Sequence, residues 1–375
     1  MDIYYLKMYQ QIIKQINLHN FRNFTTKQLR FENLLVLLYG NNGIGKTSLL
    51  EAISLFCKNG SLRQASNLEM LNHQADFWQV YLEFFNDFAD DFYYQNLALK
   101  FEKNTNKKTW LINQQLQNNK QNDIKSYLPN FICLTPQLEQ LFILGKTTKR
   151  EYLDKIVLDV NLQHQTYLNQ YQKLCKERLV ILQQKSNNNT WLNVVEKKIS
   201  ELAIAIAFTR DEAIEFFNQS ISTFDSAFPK VFLQIYDETN RQNQSNLEKE
   251  NFYQQQLKNN RQLDGFSGKT NFGIHKADFS ALFVEKNISA SMCSTGEQKL
   301  IMLAISLARA KISSYYKKQP TILLFDEIFS HLDDNYKNCL LNEVYNLQIP
   351  VFFTATSYLM LPNSFKKNLD LINLK

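Results

Sequence analysis

Several groups of side chains in this 375-residue chain have the types and spacing that phosphate chemistry needs. Gly40-Asn41-Asn42-Gly43-Ile44-Gly45-Lys46-Thr47 satisfies the pattern G-x-x-x-x-G-K-[ST] without a mismatch. Glycines in such a loop let successive backbone N–H groups close around a phosphate. Lys46 would reach the β- and γ-phosphates, and Thr47 would place its hydroxyl on Mg²⁺. Far downstream, Thr321-Ile322-Leu323-Leu324-Phe325 runs into Asp326-Glu327, two carboxylates at the end of an apolar run. Asp326 would hold the metal through water, and Glu327 would orient and deprotonate an attacking water. Between them lies Ser294-Thr295-Gly296-Glu297-Gln298, and beyond them Thr354-Ala355-Thr356, whose hydroxyls are candidates for a γ-phosphate contact. Gln137, in the turn Thr135-Pro136-Gln137, is a candidate metal- and water-sensing side chain on its position alone.

The elements around these residues are of the right kind. Leu34 to Leu38 is an apolar run long enough for a buried parallel strand. Leu49, Leu50, Ala52, Ile53 and Phe56 then fall at helical spacing. Strand, glycine turn and helix N-terminus together make an anion site, because the helix dipole favours negative charge there. Strands are expected at Ile12–Leu18, Thr25–Phe31, Phe131–Leu134, Val231–Tyr236, Ala281–Val284 and Ile349–Phe353. Alternation from Asp76 to Trp110 predicts an antiparallel meander. Ser294 is a natural N-cap with Glu297 as its capping-box partner, opening a helix through Leu300, Leu303 and Leu307. Tyr152 to Phe228 reads as antiparallel helices with a break at Ser186–Thr190, and residues 239–262 as a further polar helix. Asp264 to Gly268 reads as a turn cluster.

Composition narrows the class. Five cysteines are scattered without a C-x-x-C pair, which argues against a zinc or disulfide framework. No run of 18 apolar residues and no export signal are present, so a cytoplasmic, non-membrane protein is expected. The net charge of +6 is compatible with a polyanionic partner. Basic candidates for DNA are Arg22 in a polar aromatic turn, which could equally touch nucleotide, and Arg63 after Gly60, in a loop that could face the phosphates. Lys146, Lys149 and Arg150 lie in a basic loop ahead of a helix expected near Glu151. For each the alternative is a solvated turn or helix entry.

The order phosphate loop, S-T-G-E-Q, strand-D-E, S-x-L-D (Ser330 to Asp333) and strand-T-A-T resembles the ABC-type ATPase heads of SMC proteins and transporters. More finely, the chain resembles the RecF family of bacterial recombination mediators. Leu18 to Phe24 is similar to that family's L-x-N-F-R-N-Y, Gly60 to Arg63 to its G-R-S-x-R, and Gly145 to Asp154 to its G-x-P-x-x-R-R-x-F-L-D. Gly273 to Asp278 is similar to G-P-H-R-D-D, with Ile274, Lys276 and Ala277 departing from it. Asp326 to Asp333 is similar to D-D-V-x-S-E-L-D.

The resemblance implies an α/β fold: an ABC-type head with a mixed sheet around the phosphate loop, an antiparallel β subdomain and an inserted α-helical lobe. The expected division is 1–150 for the first part of the head, 151–262 for the lobe and 263–375 for the second part. It implies ATP and Mg²⁺ as cofactors, with Gly40 to Thr47, Ser294, Gly296, Gln298 and Thr354 around the nucleotide. Thr47, Asp326 and Gln137 would lie at the metal, and Lys46 and Glu327 at the chemistry. The partners implied are double-stranded and gapped DNA, a second copy of the chain joined through ATP, RecO/RecR-like mediators and a recombinase. Slow, DNA-stimulated hydrolysis would act as a switch. Three competing readings are a transporter ATPase subunit, an SMC-type head without a mediator role, and a DNA-binding module with a decayed site. The intact Lys46, Asp326 and Glu327 argue against the last.

Overall fold

The computed structural model describes residues 10–56, 62–63, 65–88, 91–113, 115–116, 128–184, 189–223, 226–237, 244–316, 320–362, 365 and 368–375. The chain divides into two compact units. One comprises residues 1–139, 225–228 and 302–375, and the other 140–224 and 229–301.

The first unit opens with a hairpin, β1 (Gln10–Phe21) and β2 (Phe24–Arg30), closed by Arg22 and Asn23. Next come β3 (Leu35–Tyr39), helix α1 (Lys46–Ser54), β4 (Phe77–Phe88), β5 (Asp91–Glu102), β6 (Lys107–Ile112), β7 (Gln115–Leu116) and β8 (Asn130–Leu134). Strands β2-β1-β4-β5-β6-β7 form an antiparallel sheet, so the meander read from alternation is present and joined by the N-terminal hairpin. Residues 135–139 enter a short helical turn, Pro136–Glu139.

The second unit contains α2 (Lys146–Val160), α3 (His164–Gln183), α4 (Asn189–Thr223), β9 (Val231–Tyr236), α5 (Asn246–Asn259), α6 (Arg261–Ser267), β10 (Asp278–Phe283) and β11 (Ile288–Ser289). Helix α7 (Thr295–Lys311) carries the chain across the unit boundary. The first unit is completed by β12 (Thr321–Phe325), α8 (Asp334–Leu347), β13 (Val351–Ala355) and β14 (Leu369–Asn373).

Strands β14-β3-β13-β12-β8 make a second, wholly parallel sheet. All five residues of β12 and all five of β13 are buried, which is why these strands read as continuous apolar runs and not as alternation. Helix α1 contributes Leu49, Leu50, Ala52 and Ile53 to one core that residues from both sheets of this unit line.

In the second unit, Tyr171, Val195, Ile199, Ile206, Tyr253 and Leu257 centre a separate core. A buried polar network crosses it. Arg178 donates to Glu196 at 3.0 Å and Asp264 at 2.7 Å, and all three side chains are inaccessible. Arg261 completes the charge balance on Glu196 at 2.5 Å.

Three elements differ from the sequence reading. Helix α2 starts at Lys146, not near Glu151, so the basic segment is helical: Lys149 N–H bonds Gly145 O, and Lys149 pairs with Asp278 at 2.6 Å. Lys, Arg and Glu are good helix formers, so the segment is able to begin the helix about one turn earlier than expected. Residues 261–267 form a helix where a turn cluster is expected, because buried Asp264 anchors them and Gly268, at φ +64°, ends them in the left-handed region. Strand β10 starts at Asp278, three residues before the expected Ala281, because it pairs along the whole length of β9.

Candidate functional site

The phosphate loop leaves β3 at Tyr39 and enters α1 at Lys46. Gly43 and Gly45 sit at φ +82° and +107°, a region L side chains rarely adopt. Gly45 is also sterically fixed: a Cβ there would lie 2.5 Å from Phe24 Cζ and 2.8 Å from the Asn23 amide. The Asn23 amide donates to Ile44 O at 3.0 Å, so the β1–β2 turn supports the loop from outside.

Buried Lys46 folds back on the loop. Its ammonium donates to Gly40 O at 2.7 Å and Asn41 O at 3.0 Å, with the Asn42 amide oxygen at 3.5 Å. The Thr47 hydroxyl reaches both Asp326 carboxylate oxygens, at 3.1 and 2.9 Å. Parallel pairing sets this meeting, because β12 and β3 share β13 as neighbour and end on the same side. Ligand sites of open parallel sheets form at these carboxyl ends.

Thr354, buried in β13, donates to Asp326 Oδ1 at 2.7 Å and accepts from the Glu327 N–H at 2.8 Å. Its hydroxyl therefore aims the Asp326-Glu327 pair, a role that the proposed γ-phosphate contact does not describe. Glu327 itself has φ +52°, a left-handed conformation that a glutamate adopts at a cost of order 1–3 kcal/mol.

The loop residues Asn42, Gly43 and Gly45 to Ser48 line a cleft of about 540 Å³ together with Glu327, Arg22, Asn23, Arg63, Leu68, Glu69, Leu71 and His73. Asp326 is buried, and its hydrogen-bond partners among the described residues are the two hydroxyls, with no cation. A hydroxyl and a carboxylate are hard oxygen donors, the set that suits Mg²⁺, which takes one or two protein carboxylates and leaves its other positions to water and phosphate. The residues thus fit that ion. Gln137 is exposed on the turn after β8 and does not line the cleft.

In the second unit, Ser294 and Glu297 form the expected capping box. The Glu297 N–H donates to Ser294 Oγ, and the Ser294 N–H donates to the Glu297 carboxylate at 2.8 Å. A hydrogen bond from Lys286, then those from the Ser294 backbone and hydroxyl, hold the Glu297 carboxyl down at about 2. Gly296 has open space where a Cβ would stand, so steric crowding within the chain does not require it. Buried Gln298 donates to Cys293 O at 2.9 Å, tying the helix start to the end of the short helical turn Ala290–Met292 before it.

The basic candidates separate. Arg22 and Arg63 line the cleft. Lys149 is latched to Asp278, with Lys146 3.7 Å from the same carboxylate. Arg150 donates to Ala277 O at 3.0 Å, and burial lowers its pKa. Lys146 remains mostly solvated, its side chain 65% exposed. Sequence reasoning passed over Glu51, which is fully buried on α1 and paired with Arg22, although a lone carboxylate in an otherwise apolar helix face was a signal.

Comparison with known proteins agrees with this geometry. The family model described as "RecF/RecN/SMC N terminal domain" matches residues 12–367. The chain is 35% identical over 350 residues to the DNA replication and repair protein RecF of Rickettsia typhi, covering 92% of this chain and 94% of that one. It is 32% identical over 368 residues to the protein of that name from Rickettsia felis, covering 96% and 98%. A solved structure of the recombination mediator protein RecF-ATPrS in the RecFOR pathway superposes with a TM-score of 0.80 at 22% identity, covering 96% of each chain. The Smc head domain of Pyrococcus furiosus, with an extended coiled coil, gives 0.53 at 15% identity, over 97% of this chain and 93% of that one. A phosphate loop closed onto an Asp-Glu strand end, an end-to-end family match and relatives above 30% identity lead to one conclusion: the chain belongs to the RecF family of the RecF/RecN/SMC proteins.

Proposed function

We propose that this protein is an ATP-dependent DNA-binding protein of recombinational repair and replication-fork maintenance, in which ATP joins two copies on DNA. The observation that carries the reading is the direct contact of Thr47 with Asp326, 279 residues apart in sequence and brought together beside Lys46. RecF relatives named for DNA replication and repair support it, and nothing in the fold favours a transporter subunit.

In this reading Lys46 leaves the loop carbonyls for the phosphates, and the N–H groups from Gly43 to Thr47 cradle them. Thr47 and Asp326 would hold Mg²⁺, which neutralises phosphate charge when bound. Glu327 accepts the proton of the attacking water, aimed by the hydrogen bond from its own N–H to Thr354. Ser294 and Gly296 of one copy complete the pocket of the second, with the uncrowded Gly296 leaving room for close approach. Gln298, buried against Cys293 O, holds that helix start in place and does not itself reach the second copy. The triphosphate then joins the copies, and losing its terminal phosphate releases them. Hydrolysis is slow and serves as a switch. DNA is held through its phosphates, Arg63 and Lys146 being the best exposed of the basic candidates, and double-stranded DNA beside single-strand gaps is the preferred site. Mediators of the RecO/RecR kind and a recombinase follow at the gap.

Sedimentation velocity tests this. The wild-type chain should shift from monomer to dimer on adding Mg–ATP. Lys46→Met should stay monomeric, and Glu327→Gln should hold the dimer for longer than wild type. Equal dimerisation without nucleotide would overturn the reading.

A further inference from the structure

Arg22 was a candidate for contact with DNA or nucleotide, yet its side chain is spent inside the protein. Its Nε and Nη2 donate to the two oxygens of Glu51 at 2.8 and 2.6 Å, and Nη1 donates to Glu69 O at 2.6 Å. Glu51 is wholly buried, so Arg22 is the counter-ion of a carboxylate with no access to water. A bidentate guanidinium–carboxylate pair fixes orientation as well as distance. Glu51 lies one helical turn after Thr47, on the same face of α1.

The backbone of Arg22 works in the same direction. It adopts φ +55°, a strained conformation for arginine, and is held there on both sides. Its N–H donates to Met70 O at 2.7 Å, and its carbonyl accepts from the Asn72 amide at 3.0 Å. The next residue, Asn23, bonds the loop carbonyl of Ile44. One two-residue turn therefore ties together the helix that carries Thr47, the glycine loop, and residues 69–72, of which Glu69 and Leu71 also line the cleft.

We propose that Arg22 is a positioning residue of the nucleotide cleft, anchored by Glu51, and not a contact to nucleic acid. The proposal rests on the nucleotide reading of that cleft. Arg22→Lys keeps the charge but loses the two-pronged geometry. Glu51→Gln keeps the shape but loses the charge.

The test uses the full chain in two arms. Without nucleotide, amide hydrogen exchange should rise at least about fivefold in both 43–50 and 66–73 in either variant. With Mg–ATP, KM should rise about tenfold while kcat at saturation stays within about twofold. The Arg22→Gln/Glu51→Gln double variant should be no worse than the poorer single one. Nucleotide-free DNA affinity should match wild type. Unchanged exchange at both segments would overturn the brace. So would a loss of DNA affinity in Arg22→Lys that Glu51→Gln does not share. If wild type fails to bind Mg–ATP, or Lys46→Met binds it equally well, the reading of the cleft falls, while the exchange arm still decides the brace.

Discussion

The carboxylate of Asp326 is buried, and its hydrogen-bond partners among the described residues are two hydroxyls, Thr47 and Thr354, where a buried charge ordinarily takes a cation. That arrangement suits an ion arriving with its substrate. It leads to an expectation with two signs. Asp326→Asn removes the charge and keeps the shape, so the nucleotide-free protein should melt at the wild-type temperature or above. The stabilisation conferred by Mg–ATP should vanish. For wild type at a hundredfold excess over Kd, that stabilisation is about 2.7 kcal/mol. Differential scanning fluorimetry with and without Mg–ATP reads both. A variant that keeps the full nucleotide-dependent shift removes Asp326 from the site. Thr354 belongs to the same argument: its hydroxyl both donates to Asp326 and accepts from Glu327, holding the two acids in different roles.

Helices α3, α4 and α6 are joined by charge as well as by apolar packing. Arg178 on α3 bridges Glu196 on α4 and Asp264 on α6, with all three side chains inaccessible to water. Its third contact is the carbonyl of Leu257, at the end of α5. Such a network contributes little net stability when intact, because desolvation offsets attraction. Breaking it is another matter. Arg178→Ala leaves two buried carboxylates, with Arg261 reaching one of them, and should cost roughly 3–5 kcal/mol. Urea unfolding followed by helix signal checks this, and a loss below about 1 kcal/mol would mean that water replaces the guanidinium. The same reasoning explains why residues 261–267 are helical despite Gly265. Gly265 lies against the α3 backbone at Leu182, where a Cβ would have contacts at 3.5 Å, and Asp264 is held from within.

For the molecule as a whole, the proposed DNA contact must be electrostatic. The chain carries +6, and the exposed candidates among the described residues, Arg63 and Lys146, are single cations on separate segments. Affinity for duplex DNA should therefore fall steeply with salt and not depend on sequence. The slope of log K against log salt should be about −0.9 per phosphate contacted. Arg63→Ala and Lys146→Ala should each flatten it by about one, whereas Lys149→Ala, latched to Asp278, should act mainly on stability. Fluorescence anisotropy from 50 to 300 mM salt measures all three. A flat salt dependence, or a strong preference among duplexes of equal length, would sink the electrostatic account.

Much of the architecture was legible because it is written in contiguous residues. The run from Leu34 to Phe56 carries strand, glycine turn and helix in one stretch, and each follows from local rules of burial, backbone freedom and spacing. The meander from Phe77 to Ile112 was likewise visible, since one buried face forces alternation. The Ser294–Glu297 box needed only a four-residue window. Tertiary structure decided what depends on distant partners: that Arg22 serves Glu51 across 29 residues, that Lys149 is paired with Asp278, and that Thr354 props Asp326. Spacing along a chain can show which groups are able to bind phosphate. Which of them face the cleft and which are spent holding it in shape is fixed by burial, because a buried charge takes whichever partner the fold brings within reach.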